Sequence, residues 1–255
     1  MTYDFGGRVV LVTGGSRGIG RAVATAFATA GARVAIQWRS DEAAAQQTLA
    51  GLPGEGHCAL QADLASPGET RACVDRVAEA LGGLDVLVNN AAVYVESKIA
   101  EVGYDAWRAA WREVVDTNLL GPANACWCAA QHMIASGRGG RIVNVSSRGA
   151  FRGEPDHPAY GASKAGLNSL GQSLAVALAP HRIYVGTVAP GFVSTDMAAP
   201  FLSGPAGDSI RAQSPLGRAA TPEEVAHVVL FLASAGAEFT TGAVVDCNGA
   251  SYLRT

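Results

Sequence analysis

A short apolar strand pattern, a glycine-rich turn and the start of a helix follow one another near the beginning of this chain. Residues 8–13 read Arg-Val-Val-Leu-Val-Thr, and residues 22–28 have an alanine-rich helical pattern. A β-branched run of this length is typical of a parallel strand that is buried on both faces. Gly14, Gly18 and Gly20 lie between the two, at the spacing Gly-x-x-x-Gly-x-Gly, which differs from the more common G-x-G-x-x-G. This order of elements predicts a dinucleotide-binding site, because backbone N–H groups and the helix N-terminus face the pyrophosphate.

The remaining sequence repeats this alternation of strand and helix. Further strand patterns lie at residues 33–38, 57–61, 84–88, 141–145, 183–188 and 243–246. Helical patterns lie at residues 42–50, 68–81, 160–178 and 221–234, with two consecutive helices over 105–136 that break near Thr117-Asn118. The alternation, without any break in composition, predicts one α/β domain over residues 1–255 with a Rossmann-type doubly wound fold. Residues 196–220 are rich in Gly, Pro, Ala and Ser, and we predict that they form a mobile lid.

Composition and charge narrow the kinds of partner that the chain can have. Hydrophobic residues make up 49% of the sequence and charged residues 16%, which is typical of a globular protein. The net charge is −3 and no run of Lys or Arg occurs, so we expect neither nucleic acid nor a membrane surface as a partner. The five cysteines, at positions 58, 73, 126, 128 and 247, are expected to be reduced thiols with no bound metal. No apolar stretch reaches membrane-spanning length and no signal peptide is evident, so we expect a cytoplasmic protein.

The end of the second strand pattern bears on the choice of cofactor. An NAD-binding chain is expected to place an acid there to hold the ribose 2′-OH. This chain reads Gln37-Trp38-Arg39-Ser40 and has no carboxylate until Asp41. Arg39, Ser40 and the earlier Arg17 offer positive charge and hydrogen-bond donors that suit a 2′-phosphate, which favours NADP over NAD. The alternative is that Arg39 only ends a strand in solvent.

Tyr160 and Lys164 are four residues apart in an apolar-periodic helix, and therefore lie on the same face of it. A phenol has an ordinary pKa near about 10, and an ammonium group close to it favours the phenolate and lowers that pKa. A tyrosine of this kind is expected to act as an acid and base near neutral pH. Ordinary amphipathic helices contain the same pair, so the spacing alone leaves its role open.

Two other strand patterns end in small or polar residues. The fourth strand pattern is followed by Asn89-Asn90-Ala91-Ala92, and the fifth strand pattern is followed by Ser146-Ser147. In open α/β sheets, ligands bind at the carboxyl ends of the strands, so these residues are expected to border a cofactor. Asn118 is polar within an apolar-periodic stretch, and if buried it needs a hydrogen-bond partner.

Together these motifs resemble the short-chain dehydrogenase/reductase family over essentially the whole chain, and within it the 3-oxoacyl-ACP reductase-like proteins. The ordered set is Thr13-Gly14-x-x-x-Gly18-x-Gly20, Asn89-Asn90-Ala91, Asn118, Ser147, Tyr160-x-x-x-Lys164 and Pro190-Gly191. The resemblance implies a doubly wound sheet of seven parallel strands and a homotetramer or homodimer. The departures are modest: Ala92 stands where the family usually has Gly, and Tyr184 and Gly186 where relatives often have Arg and Asn.

The resemblance also implies a role for each matching residue. Tyr160 is the general acid/base, Ser147 hydrogen-bonds the substrate oxygen, and Lys164 lowers the pKa of Tyr160 and binds the nicotinamide ribose. Asn118 is expected to hold a water of a proton relay, and spacing to Tyr160 favours Ser147 over Ser146. Asp63 is expected to contact the adenine, Asn89 the adenine ribose side, and Val193 and Thr195 the nicotinamide amide. The full set of expected cofactor contacts is Gly14, Ser16, Arg17, Gly18, Ile19, Gly20, Arg39, Ser40, Asp63, Leu64, Asn90, Ala91, Ala92, Tyr160, Lys164, Pro190, Gly191, Val193 and Thr195.

The expected activity is NADP(H)-dependent interconversion of a carbonyl and a secondary alcohol in a small molecule. The alternatives are a non-catalytic NADP-binding or scaffolding protein, which would have lost part of the set Asn118, Ser147, Tyr160 and Lys164, and a related chemistry on this fold. Enoyl reductases space their Tyr and Lys further apart, and extended sugar epimerases are longer. The substrate stays open: the polar residues after Ser147 either border the cleft or are solvated, namely Arg148, Arg152, Glu154, Asp156 and His157.

Overall fold

The computed structural model describes residues 3–203 and 207–254, and in this part of the chain seven strands form one parallel sheet. The strands are β1 Val9–Thr13, β2 Arg33–Trp38, β3 Cys58–Gln61, β4 Val86–Asn89, β5 Gly140–Val145, β6 Ile183–Pro190 and β7 Val244–Cys247. Their order across the sheet is β3-β2-β1-β4-β5-β6-β7. The order reverses between β1 and β4, and a doubly wound sheet opens a ligand crevice at that point. The predicted fold is confirmed.

Helices cover both faces of the sheet. They are α1 Gly18–Thr29, α2 Glu42–Ala50, α3 Pro67–Leu81, α4 Tyr104–Val115, α5 Gly121–Ser136, α6 Gly149–Arg152, α7 Pro158–Leu178, α8 Ala199–Leu202, α9 Gly207–Ala212 and α10 Pro222–Ala233. The predicted start of α10 is confirmed, because Thr221 and Glu224 form a capping box in which each side chain accepts from the other's backbone N–H. Within the described residues, no helix combines the length and apolar character needed to cross a membrane.

Two apolar layers hold the helices to the sheet. Val10 and Val12 of β1 point to the layer that contains Phe27 of α1 and Val229 of α10. The neighbouring Leu11 points to the opposite layer, under α3 and α5. Alternate residues of a strand face opposite sides of a sheet, so a run without polar residues fills both layers. Burial of each such side chain contributes about 1.5–3 kcal/mol, and the layers therefore fix where the strand ends lie.

The predicted break near residues 117–118 is a wider helical turn instead. Asp116–Leu120 form a π-helical turn that joins α4 to α5 without an interruption of the helical path. Pro122 has no N–H to donate to the carbonyl of residue 118, so the regular α-helical pattern cannot continue there. Single π turns of this kind occur often at functional sites. Asn118 lies on this turn.

The segment predicted as a structureless lid contains local structure. Residues 196–220 include the short helices α8 and α9, and residues 204–206 of the segment lie outside the described residues. The two ends of the segment are fixed to each other, because Ser194 N–H donates to Ala220 C=O and Ala220 N–H donates to Phe192 C=O, both at 2.9 Å. Its movement as a lid stays a prediction.

Candidate active site

One cavity of about 570 Å³ lies along the carboxyl ends of the strands. It extends from the residues that follow β2 to those that follow β5 and the first turn of α7. The predicted cofactor residues that line it are Gly14, Ser16, Arg17, Gly18, Ile19, Arg39, Ser40, Asp63, Leu64, Asn90, Ala91, Ala92, Tyr160, Lys164, Pro190, Gly191, Val193 and Thr195. Ser147 lines the same cavity. Gly20 and Asn118 are not among its lining residues.

The glycine turn is held open by side chains from neighbouring strands. Gly14 and Gly18 have φ values of 62° and 53°, in the left-handed region that favours glycine. Gln37 Oε1 accepts from Gly14 N–H at 2.9 Å, and Asn90 Nδ2 donates to the carbonyls of Thr13 and Gly14 at 2.9 and 3.1 Å. Gly20 has a packing role, because a Cβ there would lie 2.1 Å from Gly14 O. Its expected contact with the cofactor stays a prediction, and Gly20 does not line the cavity.

The start of α1 has the chemistry of an anion site. The helix has no acidic residue in its first turn, and no side chain caps it. Its first N–H groups, with the positive end of the helix dipole, are therefore available for the negative charge of a pyrophosphate. Arg17 and Arg39 are both exposed at this end of the cavity. Among residues 3–203 and 207–254, neither guanidinium has an ion-pair or hydrogen-bond partner.

The nearest carboxylate after β2, that of Asp41, already accepts a hydrogen bond within the protein. Asp41 Oδ1 accepts from Ala44 N–H at 3.0 Å and caps α2. An NAD ribose needs an acceptor here, whereas a 2′-phosphate needs positive charge, so this end of the cavity fits NADP.

Two of the predicted asparagines, Asn89 and Asn118, do not line the cavity and instead form hydrogen bonds with neighbouring parts of the chain. Asn89 is buried in the core and donates to Asn144 Oδ1 at 2.9 Å and to Cys126 Sγ at 3.2 Å, so it does not face the adenine ribose. Asn118 is fully buried, and its side chain pairs with the backbone of Val93: Oδ1 accepts from N–H at 2.8 Å and Nδ2 donates to C=O at 2.9 Å. It thus fixes the chain beside the cavity, and its expected role in a water relay stays a prediction.

Ser147 and Tyr160 meet at the far end of the cavity. Tyr160 lies on the first turn of α7, and the Ser147 side chain is close enough to its hydroxyl to lower its pKa. Gly149 N–H donates to Ser147 Oγ at 3.0 Å and fixes it in place. Ser146 is buried and donates to the backbone carbonyl of Lys164 at 3.3 Å, so the structure brings Ser147 rather than Ser146 to the phenol.

Burial sets the pKa values of the central pair. It raises the pKa of Tyr160 to about 12, and the hydrogen bond from Ser147 offsets only part of that rise. Burial also lowers the pKa of Lys164 to about 8. The Lys164 ammonium donates to Val145 C=O at 2.8 Å and lies 5.7 Å from the centroid of the Tyr160 ring. In this arrangement desolvation dominates and the pKa of Tyr160 lies above its ordinary value, so the expected lowering of that pKa by Lys164 stays a prediction.

An aromatic wall beside Tyr160 was missed by the sequence reasoning. Tyr94 stacks on His157 with ring centroids 3.7 Å apart, and it meets the edge of Tyr160 at 4.7 Å. Phe201 of α8 approaches Tyr94 and His157 at 5.9 and 6.3 Å. No local pattern connects residues so far apart in the sequence. The five polar residues left open after Ser147 all line the cavity, and Arg148 and His157 are buried.

A parallel sheet with this strand order, and a cavity that joins a glycine turn to a Ser-Tyr-Lys set, defines a nucleotide-dependent oxidoreductase. A family model described as "Enoyl-(Acyl carrier protein) reductase" matches residues 14–249. With this match and the relatives below, the chain belongs to the short-chain dehydrogenase/reductase family of NAD(P)-dependent oxidoreductases. The predicted family is confirmed.

Relatives of known name or structure cover almost the whole chain. It is 38% identical to the 3-oxoacyl-[acyl-carrier-protein] reductase FabG of Aquifex aeolicus, over 99% of this chain and 100% of the relative. It is 37% identical to an uncharacterized oxidoreductase of Methylorubrum extorquens, over 95% and 97%. A short-chain dehydrogenase of Burkholderia cenocepacia, solved in complex with NADP, superposes with a TM-score of 0.87 at 36% identity, over 96% and 98%. The predicted cofactor agrees with that complex.

Proposed function

We propose that this protein is an NADP(H)-dependent oxidoreductase that interconverts a carbonyl and a secondary alcohol, with Tyr160 as the proton donor and acceptor. The observation that carries the proposal is the contact of Tyr160 with Ser147 in the same cavity as the glycine turn. The two named 3-oxoacyl reductases of Aquifex and Staphylococcus aureus act, by their names, on a carbonyl compound, which supports the reaction class.

One group of residues binds the cofactor, and a second group transfers the proton. The N-terminus of α1 binds the pyrophosphate, and Arg17, Arg39 and Ser40 bind the 2′-phosphate that distinguishes NADP(H) from NAD(H). Val193 and Thr195 border the nicotinamide end. When bound, the nicotinamide supplies or accepts a hydride at the substrate carbon.

Tyr160 supplies the proton for the reduction. With a pKa of about 12, its hydroxyl is protonated at neutral pH and can donate to the oxygen on which negative charge develops. Ser147 holds the same oxygen by a hydrogen bond and fixes the direction of transfer. Lys164, with a pKa of about 8, gains and releases a proton close to neutral pH and so can restore the proton that Tyr160 gives up. The aromatic neighbour Tyr94 limits the access of water to Tyr160 during this step.

The direct test follows the hydride. Purified protein is incubated with NADPH deuterated at C4 and with ketones, aldehydes and a 2-enoyl thioester. We expect deuterium at the carbinol carbon of a secondary alcohol. Reduction of the enoyl double bond with no carbonyl reduction contradicts the proposal. Tight NADPH binding with no turnover of any compound favours the alternative of a non-catalytic NADP-binding protein.

A further inference from the structure

The guanidinium next to Ser147 in the sequence is buried and incompletely paired. Arg148 lines the active-site cavity with only 5% of its surface exposed. Its Nη2 donates to Gln213 Oε1 at 2.6 Å, and its Cζ lies 4.9 Å from the centroid of the Phe192 ring. Its Nη1 is also buried and has no hydrogen-bond partner. Because a buried charged donor without a partner is costly, Nη1 calls for an acceptor that the described residues do not supply.

A second arginine converges on the same point. Arg152 Nη1 donates to Gln213 Oε1 at 3.3 Å, so two guanidinium groups share one neutral amide oxygen. Within residues 3–203 and 207–254, neither arginine forms an ion pair. Glu154 is near enough for both arginines to lower the pKa of its carboxyl, but it forms no ion pair with either of them. With Glu154 ionised, Arg148, Arg152 and Glu154 together carry one net positive charge, and the exposed Asp156 lines the same cavity.

A carboxylate matches this arrangement better than other groups. The planar guanidinium fork pairs with the two oxygens of a carboxylate, and the buried Nη1 is left without an acceptor by the described residues. Arg148 is held in place on three sides: its backbone N–H donates to Pro190 C=O at 2.9 Å, its plane rests on Phe192, and Gln213 fixes Nη2. A guanidinium that is fixed in this way holds a bound anion in one position.

We propose that the substrate is an oxo acid whose carboxylate is bound by Arg148, with Arg152 in support. The inference rests on the proposed carbonyl reduction, since it names the class of carbonyl compound. Arg148, Ser147 and Tyr160 line one cavity, so the carboxylate and the reacting carbonyl belong to the same small molecule. The wall of Tyr94, His157 and Phe201 in the same cavity accommodates an apolar or aromatic group.

The experiment compares acids with their neutral esters. The probes are benzoylformate, benzoylacetate and 3-benzoylpropanoate, in which no, one or two methylene groups separate the ketone from the carboxylate, each alongside its methyl ester. We expect kcat/KM of wild type for the best acid to exceed that for its ester by at least about tenfold, because the ester leaves the buried guanidinium unpaired. Arg148→Gln should lose this preference because its KM for the acid is higher. Its kcat/KM for the ester should change by less than about threefold.

Three further variants separate charge recognition from folding. Arg148→Lys keeps the charge without the fork and should retain part of the preference. Arg152→Gln, at an exposed position, should weaken the preference without any risk to the core. Arg108→Gln is the matched control, since it removes the same charge from the surface of α4, outside the cavity, and should behave as wild type.

The outcomes distinguish this inference from the proposed function. Equal kcat/KM for acids and esters, or an acid preference that survives in both Arg148→Gln and Arg152→Gln, overturns the carboxylate site and leaves carbonyl reduction in place. If no probe is reduced, calorimetric binding of the three acids to the NADPH-loaded protein decides the site separately. Binding that is lost in Arg148→Gln and in the methyl esters supports the carboxylate site while the proposed reaction fails, and no difference between acid and ester overturns the site.

Discussion

Burial moves the pKa values of the two central side chains in opposite directions. Tyr160 is raised to about 12 and Lys164 is lowered to about 8, because in both cases the low-dielectric interior favours the neutral form. At neutral pH the tyrosine therefore keeps its proton, and the lysine can exchange one. This combination suits proton donation to a carbonyl oxygen.

The first residue-scale prediction removes only the phenol proton. Tyr160→Phe should lower kcat by at least about a hundredfold, because a positioned proton donor contributes on that order, while the Kd for NADPH changes little. Steady-state kinetics and fluorescence titration with NADPH measure the two effects. Tyr104→Phe is the control, since Tyr104 is 75% exposed on α4 and should leave both values unchanged. Activity of Tyr160→Phe within about tenfold of wild type would remove Tyr160 from the proposed role.

A second prediction uses the pH dependence of stability. Lys164 has a folded-state pKa of about 8, below its unfolded value of 10.5. Between these two values the unfolded chain binds more protons than the folded one, so the folded state gains stability as the pH rises. From about pH 7.5 to 9.5, the free energy of unfolding of wild type should rise by about 2 kcal/mol relative to Lys164→Met.

Urea denaturation of both proteins at the two pH values gives this difference, and the contributions of all other titrating groups cancel between them. Below about pH 7.5 the difference should stay constant, because Lys164 is then protonated in both states. A constant difference across the whole range means that Lys164 is not desolvated in the folded protein.

The third prediction concerns Arg39, whose guanidinium has no partner among the described residues and which borders the cavity. Wild type should prefer NADPH over NADH by at least about tenfold in kcat/KM, and Arg39→Asp should move the preference toward NADH. A carboxylate accepts a hydrogen bond from a ribose 2′-OH but repels a 2′-phosphate. Arg33→Asp, at the start of β2 and away from the cavity, is the control. Equal use of the two cofactors by wild type would show that Arg17 and Arg39 do not face the ribose.

At the scale of elements, the segment over 196–220 differs from the loops around it. Its ends are joined by the bridge between Val193 and Ala220, and α8 carries Phe201 to the aromatic wall. A segment that is pinned at both ends and rests on the cavity by short helices can close as a unit. Gln213, which holds Arg148 and Arg152, belongs to the same segment. Closure would therefore complete both the nicotinamide side and the anion site.

Hydrogen exchange with and without NADPH tests this movement. We expect slower exchange over the segment when NADPH is bound, because Thr195 lies at its start and borders the cavity. Peptides from α3 serve as the control and should exchange equally in both states. The same exchange rate over residues 207–220 with and without NADPH would mean that the site is already formed and that the segment is an ordinary surface loop.

At the scale of the whole molecule, assembly into dimers or tetramers stays a prediction of the family resemblance. Two neighbouring helices have exposed apolar side chains that support it: Trp127 of α5 is 58% exposed and Val176 of α7 is 80% exposed. An interface between copies of the chain would bury them. Sedimentation velocity should therefore give two or four copies for wild type and a smaller species for Val176→Glu, since a carboxylate resists burial.

The matched change Ile99→Glu, at a residue 75% exposed in the loop before α4, should leave the sedimentation coefficient as it is. A monomeric wild type contradicts the predicted assembly. An unchanged oligomer in Val176→Glu places the interface elsewhere.

The sequence by itself determined those features that depend on backbone preferences within a few residues. The strand runs, the glycine turn, the capping box at Thr221 and the common helix of Tyr160 and Lys164 all arise from such local rules. Their order along the chain was sufficient to predict the fold, because an alternation of strands and helices is compatible with few compact topologies.

The tertiary structure alone decided the features that depend on burial and on partners distant in sequence. Desolvation sets the direction of the pKa shift of Tyr160, and the side chain of Asn118 pairs with the backbone of Val93. Gly20 packs against the glycine turn, and Arg148 is held by Gln213 and Phe192. The physical reason is that the cost of burying a polar group is fixed by its surroundings in three dimensions, which no spacing along the chain encodes.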